Sequence, residues 1–548
     1  MKLLKILLLL PFIICAQDGL FKNKNIFSRQ DSLRGSITPE RAWWNLKHYE
    51  LSVEVFPKTK TIKGKNIICF EVLKAAKKMQ IDLQNPLKIS KITHQNKNLS
   101  FQREGNVYWI NFSEKPSIGS EEKITIYYQG KPTDSKNPPW SGGITWKKDE
   151  KNNDFIASSN QGIGASIWWP NKDHSYDEPE KGIDMHITVP EHLTDVSNGR
   201  LINITHNKKE KTKTFHWRVT NPINNYGVNI NIGNYTNFTE VFKGEKGNLD
   251  CSYWVLKQNL SKAKRQFKQA KMTLAAFEYW FGPYPFYEDS YKLVEAPYLG
   301  MEHQSSVTYG NKYKNGYLGS DLSGTGVGLK FDYIIIHESG HEWFANNITN
   351  KDVADMWIHE SFTTYSESLF IDYHFSTEEA NQYVIGMRRA IKNDKPLIGT
   401  YGVNNEGSGD MYYKGSNMLH TLRQIIDDDY LWREILRGLN KHFYHQQVTS
   451  SQIEKYIIEK GNLNINGFFN QYLRTTKIPV LEYHIEENKI NYRFTNTVDN
   501  FSMPVKANIN GQKIFLNVTN NIKTFQNNKE RINNFSIDKN YYINHKPI

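Results

Sequence analysis

Two histidines and two glutamates carry the chemistry that this chain declares first. His337-Glu338-Ser339-Gly340-His341 has the pattern His-Glu-x-x-His, and eighteen residues separate His341 from Glu360. Positions i and i+4 of a helix face the same way, so both imidazoles of the motif reach one ion. Two histidines one turn apart can also be a mere polar stripe. Here the preceding Tyr333-Ile334-Ile335-Ile336 gives the helix an apolar face that belongs against a core, and burying imidazoles beside a carboxylate is costly without a cation. A catalytic zinc takes three protein ligands and keeps one position open for water. His337, His341 and Glu360 supply that set from a helix, a connection and a second helix, so one Zn2+ per chain is expected. Glu338 then lies beside the open position, where it can take a proton from water. The set is that of a hydrolytic zinc, not a structural one.

The wording around these residues is more specific than the ligands themselves. His337 to Asn346 reads His-Glu-Ser-Gly-His-Glu-Trp-Phe-Ala-Asn, and Glu360 stands in Trp357-Ile358-His359-Glu360-Ser361-Phe362. Upstream is Leu299-Gly300-Met301-Glu302-His303; downstream is Tyr412-Tyr413-Lys414-Gly415, with Leu422-Arg423 behind it. Together they resemble the gluzincin aminopeptidase family typified by aminopeptidase N, with its Gly-x-Met-Glu-Asn segment and its Tyr-x-Lys-Gly helix start. Val189-Pro190 and Ser197-Asn198-Gly199-Arg200-Leu201 match the family's β-domain pattern, so the resemblance runs from Ala42 to Tyr472. It implies a multidomain α+β fold: a saddle-like N-terminal antiparallel β domain, a thermolysin-like, mostly helical catalytic domain and a small C-terminal β-sandwich. It also implies roles. Glu302 holds the substrate's amine, Gly300 and Met301 line its pocket, Tyr412 donates to the oxyanion, and Gln161 in Gln161-Gly162-Ile163-Gly164 is a second contact. The substrates implied are peptides, cut at the N-terminal bond.

Departures from the family pattern are visible. His303 replaces the usual Asn and Leu299 the usual first Gly. Ile163 stands where an acidic or amide residue often contacts the amine. No large helical domain follows the catalytic segment, so either access is wider or a homodimer provides the cover. Two other readings compete: a thermolysin-like endopeptidase, and an inactive family member that only binds peptides. Gly300-Met301-Glu302 speaks against the first, since an extended groove needs no carboxylate at a closed end. The intact set of His337, Glu338, His341, Glu360 and Tyr412 speaks against the second. Lipid-epoxide hydrolysis, known in one relative, has no independent support.

Elements to position these residues can be read from periodicity. Two-residue alternation marks strands at Leu51–Val55, Ile67–Val72, Ile124–Tyr128, Met185–Val189 and Phe215–Val219. Helical spacing takes over at Lys264–Trp280 and Phe331–Asn346 and dominates to Arg474. Strand-like segments return at Tyr483–Ile485 and Ile514–Val518. The expected division is 1–16 leader, 17–245 β domain, 246–476 catalytic domain and 477–548 sandwich.

Bulk properties agree with an exported globular protein. The 548 residues are too many for one core, and 38% apolar with 13% aromatic residues is not a disordered composition. A basic start, Met1-Lys2-Leu3-Leu4-Lys5, precedes the apolar run Ile6–Cys15 and Ala16. This reads as a secretory signal peptide cleaved after Ala16, leaving a periplasmic or extracellular protein that starts at Gln17. Lipid attachment at Cys15 is the lesser alternative, because bulky Ile14 stands where such signals have a small residue. The formal charge of +12 comes from no concentrated Lys/Arg block, so no nucleic-acid partner is expected. No later stretch is long and apolar enough for stable membrane insertion. Cys69 and Cys251 could form one bridge, but the favoured reading is two unpaired, buried side chains, and no second Cys or His stands near either at ligand spacing.

Overall fold

The computed structural model describes residues 26–528 and 531–548, so the expected leader and Cys15 lie outside the described residues. Alternating residues from Trp44 onward build an eight-stranded sheet. In spatial order it runs Arg200–Asn207, Thr212–Val219, Ile183–Pro190, Trp44–Phe56, Thr61–Val72, Glu121–Gly130, Lys88–His94 and Lys97–Asn98. Each of the five strands read from alternation lies inside one of these. Along Trp44–Phe56 the alternate residues Leu51, Val53 and Val55 are buried, as a half-covered strand requires. One ladder departs from the antiparallel expectation: Trp44–Phe56 and Ile183–Pro190 run parallel. The chain reaches the second of them only after a long excursion, and a parallel partner needs such a crossover.

A second sheet carries the site. It has five strands in the order Tyr235–Gly244, Gly247–Leu256, Tyr291–Glu295, Val307–Tyr309 and Gly300–Met301, the last forming its edge. The first two form a hairpin whose turn coincides with the expected boundary between residues 245 and 246, so the sheet draws strands from both sides of it.

Helices cover this sheet. The spacing over Lys264–Trp280 predicts one helix, but the structure breaks it at Phe267 into Leu260–Gln266 and Lys268–Phe281. The Phe267 ring is buried against Tyr253 and Tyr309, with centroids 5.6 and 4.9 Å away, and that packing outweighs continuity. The expected helix over Phe331–Asn346 is shorter still, Tyr333–Gly340. Helical spacing persists beyond Gly340, but Asn346 N–H and Asn347 N–H donate to the carbonyls of His341 and Glu342, bonds five residues long that open the turn. The helix Trp357–His374 is buried at every position from Trp357 to Ile371, which is how a helix in the middle of a core reads. Tyr413–Ile426 lies on it so closely that a Cβ at Gly415 would stand 1.9 Å from Ser361 Oγ.

At the C-terminus, a four-stranded and a three-stranded sheet face each other, with Leu481, Phe494, Val505 and Leu516 between them. The C-terminal β-sandwich is therefore present, and its core is continuous with that of the helices. Cys69 is half-buried and Cys251 buried, both unpaired. Among the described residues, no helix is long and apolar enough to cross a membrane.

Candidate active site

Asp332 starts the first metal-site helix. Its carboxylate caps Ile334 N–H and Ile335 N–H and also accepts from Tyr309 Oη, Asn311 Nδ2 and Gln266 Nε2. The cap thus ties the helix to the strand beside the edge strand, fixing the height at which His337 emerges. His341 follows the last helical residue in right-handed helical conformation, φ −64° and ψ −18°, so it still lies one turn beyond His337. The two imidazole centroids are 5.0 Å apart.

Both rings are oriented through their outer nitrogens. His337 Nδ1 is 2.8 Å from Glu367 Oε1, and Tyr383 Oη donates to Glu367 Oε2 at 2.6 Å. His341 Nδ1 is 3.0 Å from Phe344 O and 3.0 Å from Thr363 Oγ1. Each Nε2 is left pointing at Glu360. The distances from Glu360 Oε2 are 3.7 Å to His337 Nε2 and 3.4 Å to His341 Nε2, and this buried oxygen accepts no hydrogen bond among the described residues. Ligands held at ~2.1 Å around a tetrahedral ion stand ~3.4 Å apart. The trio fits a zinc ion, with Nδ1 partners of the kind that orient metal-bound histidines.

Charge says the same. Burial works against a charge on Glu360, but the His341 and His337 imidazoles outweigh it and hold its carboxyl well below the usual range. Burial also opposes charge on His337 and His341; the carboxylates of Glu360 and Glu367 reverse that at His337, and those of Glu360 and Glu302 at His341, so both are raised. Burial pushes Glu338 up to about 8 and raises Glu302 as well, with neighbouring carboxylates adding to both. Three buried carboxylates around two imidazoles are an excess of negative charge that one cation relieves.

The edge strand sets the other wall. A Cβ at Gly300 would stand 2.7 Å from Ile334 Cγ2 and 2.8 Å from Glu338 Oε1, so only glycine lets the strand lie against the helix. Two residues on, Glu302 is 2% exposed, and Asn346 Nδ2 holds its carbonyl at 3.1 Å. The β domain reaches in from opposite. Gln161 Nε2 donates to Glu302 Oε1 at 2.7 Å and to Glu360 Oε1 at 3.1 Å, bridging the two carboxylates. Asn198 Nδ2 donates to Gln304 O at 2.7 Å and Gly199 N–H to Ser305 Oγ at 2.9 Å, pinning the turn after Glu302. Tyr412 lies at the start of Tyr413–Ile426, its ring 6.0 Å from that of His337, and burial raises its hydroxyl pKa.

His337, His341, Glu360, Glu338, Glu302, Gly300, Met301, Tyr412 and Gln161 all line one pocket. The three departures separate clearly. Leu299 lines the pocket. His303 is fully buried, its Nδ1 3.4 Å from Thr308 Oγ1, and burial pulls its pKa down to about 3. Ile163 packs into the β-domain core and offers the site no polar side chain. Sequence reasoning missed Tyr226, whose buried hydroxyl is raised by burial and by the nearby carboxylates of Glu302 and Glu360. It also missed the role of Glu367, although a residue two helical turns after Glu360 shares its face.

Comparison with known proteins settles the family. The Peptidase family M1 domain model matches residues 265–472, and the Peptidase M1 N-terminal domain model matches residues 45–226. The chain belongs to peptidase family M1. Aminopeptidase N of Lactobacillus helveticus is 23% identical over 81% of this chain and 52% of that protein. Probable aminopeptidase 1 of Sulfurisphaera tokodaii is 20% identical over 53% of this chain and 38% of its own length. The chain thus spans about half or less of the length of these relatives. The M1 zinc metallopeptidase of Deinococcus radiodurans shares the fold, with a TM-score of 0.66 at 18% identity, over 78% of this chain and 93% of that one. Zinc is the cofactor this family implies, and the donor set and spacing of His337, His341 and Glu360 suit it.

Proposed function

We propose that this M1 family member is a zinc aminopeptidase that hydrolyses the N-terminal bond of peptides. The observation that carries the reading is Glu302: a buried carboxylate in the metal pocket, linked to the ligand Glu360 through Gln161. A peptide's free N-terminus is cationic and costly to bury unless an opposite charge receives it. Glu302 receives it, and that contact fixes which bond lies at the metal. Zinc, when bound, supplies Lewis-acid chemistry, polarising a carbonyl and making water more acidic. Glu338 is buried beside Gly300, with a carboxylate oxygen within 4.8 Å of a His341 ring nitrogen. It takes the proton of the attacking water and returns it to the leaving amine. Tyr412 donates its hydroxyl hydrogen to the oxygen that gains charge. An endopeptidase would need the groove to continue past Glu302, where the Gln161 bridge stands instead.

The test compares one peptide with a free and an acetylated N-terminus, identifying products by mass. Single N-terminal residues released only from the free form are expected. Internal cuts, or equal cleavage of both, would place the protein with the endopeptidases; tight peptide binding by a zinc-loaded protein that releases nothing would make it an inactive binder.

The same reading includes export. Met1–Ala16 has the basic, apolar and small-residue pattern of a leader, so protein from its native host should begin at Gln17. A lipid-modified Cys15 or an intact Met1 would refute it. Domain limits near residues 245 and 476, and a second copy of the chain as cover for the pocket mouth, belong to this proposal too. Light scattering that shows only monomer at working concentration removes the cover.

A further inference from the structure

The edge strand gives the bound peptide a direction. Gly310 N–H donates to Leu299 O at 2.7 Å, while Tyr309 O accepts from Ala296 N–H at 2.8 Å on its other side. Leu299 therefore faces Val307–Tyr309, and antiparallel alternation turns the N–H and C=O of Gly300 to the open side. An extended peptide can join there as one more strand. With its amine at Glu302 and its first bond over Gly300 and Glu338, its later residues run past Leu299 toward Tyr298 and Pro297.

A second cavity of about 600 Å³ lies in that direction, sharing Trp140 and Leu299 with the metal pocket. This size lies within the ~300–1,000 Å³ of ligand-binding clefts. Phe155, Tyr298 and Tyr313 give it aromatic walls, and Lys147, Lys262 and Lys312 stand along it. Its acidic members are mostly committed elsewhere. Glu295 is buried and accepts from Leu256 N–H at 2.8 Å and Asn259 Nδ2 at 2.7 Å. Asp149 accepts from Lys151 N–H at 2.9 Å and Asn153 N–H at 2.8 Å. Glu150 is the exposed acid on this rim. Against it, Lys147 Nζ donates to Pro297 O at 2.8 Å, a neutral partner that leaves its charge unmatched. Lys312 is exposed and has no ion pair among the described residues.

We propose that this groove holds the downstream part of the peptide substrate and that Lys147 and Lys312 favour substrates carrying a carboxylate there. The inference rests on the aminopeptidase reading and adds a substrate class to it: short peptides with a free C-terminus, or peptides acidic two or three residues from the scissile bond. Exposed ion pairs are worth at most about fivefold each, so the preference is modest.

The assay uses substrates sharing one accepted N-terminal residue: its p-nitroanilide, a tripeptide as free acid and as amide, and blocked-end peptides with Glu or Lys at the third position. Wild type should prefer the free acid over the amide, or Glu over Lys, by about fivefold or more in kcat/KM. The two pairs distinguish a terminal from a side-chain carboxylate. Lys147→Glu/Lys312→Glu should erase or invert the preference and leave p-nitroanilide turnover unchanged. Lys312→Glu alone, on an exposed loop, should reduce it, and this covers any folding defect of the double variant. No preference in wild type, or one that survives both variants, overturns the proposal. Absence of turnover on every substrate instead removes the aminopeptidase reading on which it stands.

Discussion

Replacing Glu302 by Gln removes one charge and little else. Gln161 Nε2 donates to Glu302 Oε1 at 2.7 Å, and a glutamine at 302 can still present an oxygen to it. What disappears is the partner for the substrate's ammonium. A unit charge pair at ~4 Å with an effective dielectric of ~20 is worth about 4 kcal/mol, an upper bound before desolvation is counted. Truncating one member of a buried pair costs about 2–5 kcal/mol in measured interfaces. A loss of about 2–4 kcal/mol corresponds to roughly 30- to 1000-fold in kcat/KM. The informative experiment is a cycle in which the variant is crossed with a substrate lacking the amine, a des-amino peptide of otherwise identical sequence. Wild type should discriminate against the des-amino peptide by the same factor that the variant loses on the normal one. On the des-amino peptide, wild type and variant should be alike. Zinc content must be equal in both proteins, because Gln161 also touches Glu360 and a shifted ligand would mimic the effect. An equal loss on both substrates at full zinc occupancy would refute amine recognition by Glu302 and return it to a structural role.

Three further outcomes follow from the same geometry. Glu338→Ala should abolish turnover with zinc retained, whereas Glu360→Ala should lose the metal; elemental analysis beside an activity assay separates them, and a tenth of wild-type activity in Glu338→Ala would sink the proton-shuttle role. Tyr412→Phe should lower kcat by roughly 100-fold or more, the usual cost of one oxyanion donor, and a mild effect would leave Tyr412 as packing against His337. Glu367→Gln keeps an acceptor for His337 Nδ1 but removes the charge behind it, so zinc affinity in a chelator competition should fall about 10- to 100-fold; an unchanged affinity would mean that the imidazole needs no such support.

How much of this was legible in sequence depended on whether the cause was local. The metal trio was, because helical spacing alone stacks His337 over His341 and a second helix brings Glu360. Glu302 was legible only through resemblance, since nothing in Gly300-Met301-Glu302 by itself says that a Gly there lets a strand touch a helix. The end of the first metal helix at Gly340 and the break at Phe267 were not visible. Both are set by tertiary contacts, and the local pattern runs through them unbroken. The parallel ladder between Trp44–Phe56 and Ile183–Pro190 escaped for a related reason: alternation defines a strand's faces and says nothing of its neighbour's direction. Tyr226 carries no sequence signal at all, because its meaning comes from carboxylates that other segments deliver.

That last case bears on where the proposed preference for a peptide terminus would be built. The helices alone assemble a hydrolytic metal site, with three ligands, Glu338 and Tyr412, and such a set is indifferent to where along a chain it cuts. On the proposed aminopeptidase reading, the restriction to a terminus comes from the far wall. Gln161, from the β domain, donates to Glu302, and Tyr226 of the same domain is buried close enough to feel its charge. Asn198 and Gly199, from the same domain, pin the turn that follows it. Gln161 also bridges Glu302 to Glu360, tying the proposed amine receptor to the metal trio. It follows that loosening the β domain should cost selectivity before it costs chemistry. A Gln161→Ala protein should keep its zinc and still cleave, but discriminate less between peptides with and without a free amine. The ratio of the two rates is the quantity to measure; if it is unchanged from wild type, Glu302 alone fixes the terminus and the β domain only packs behind it.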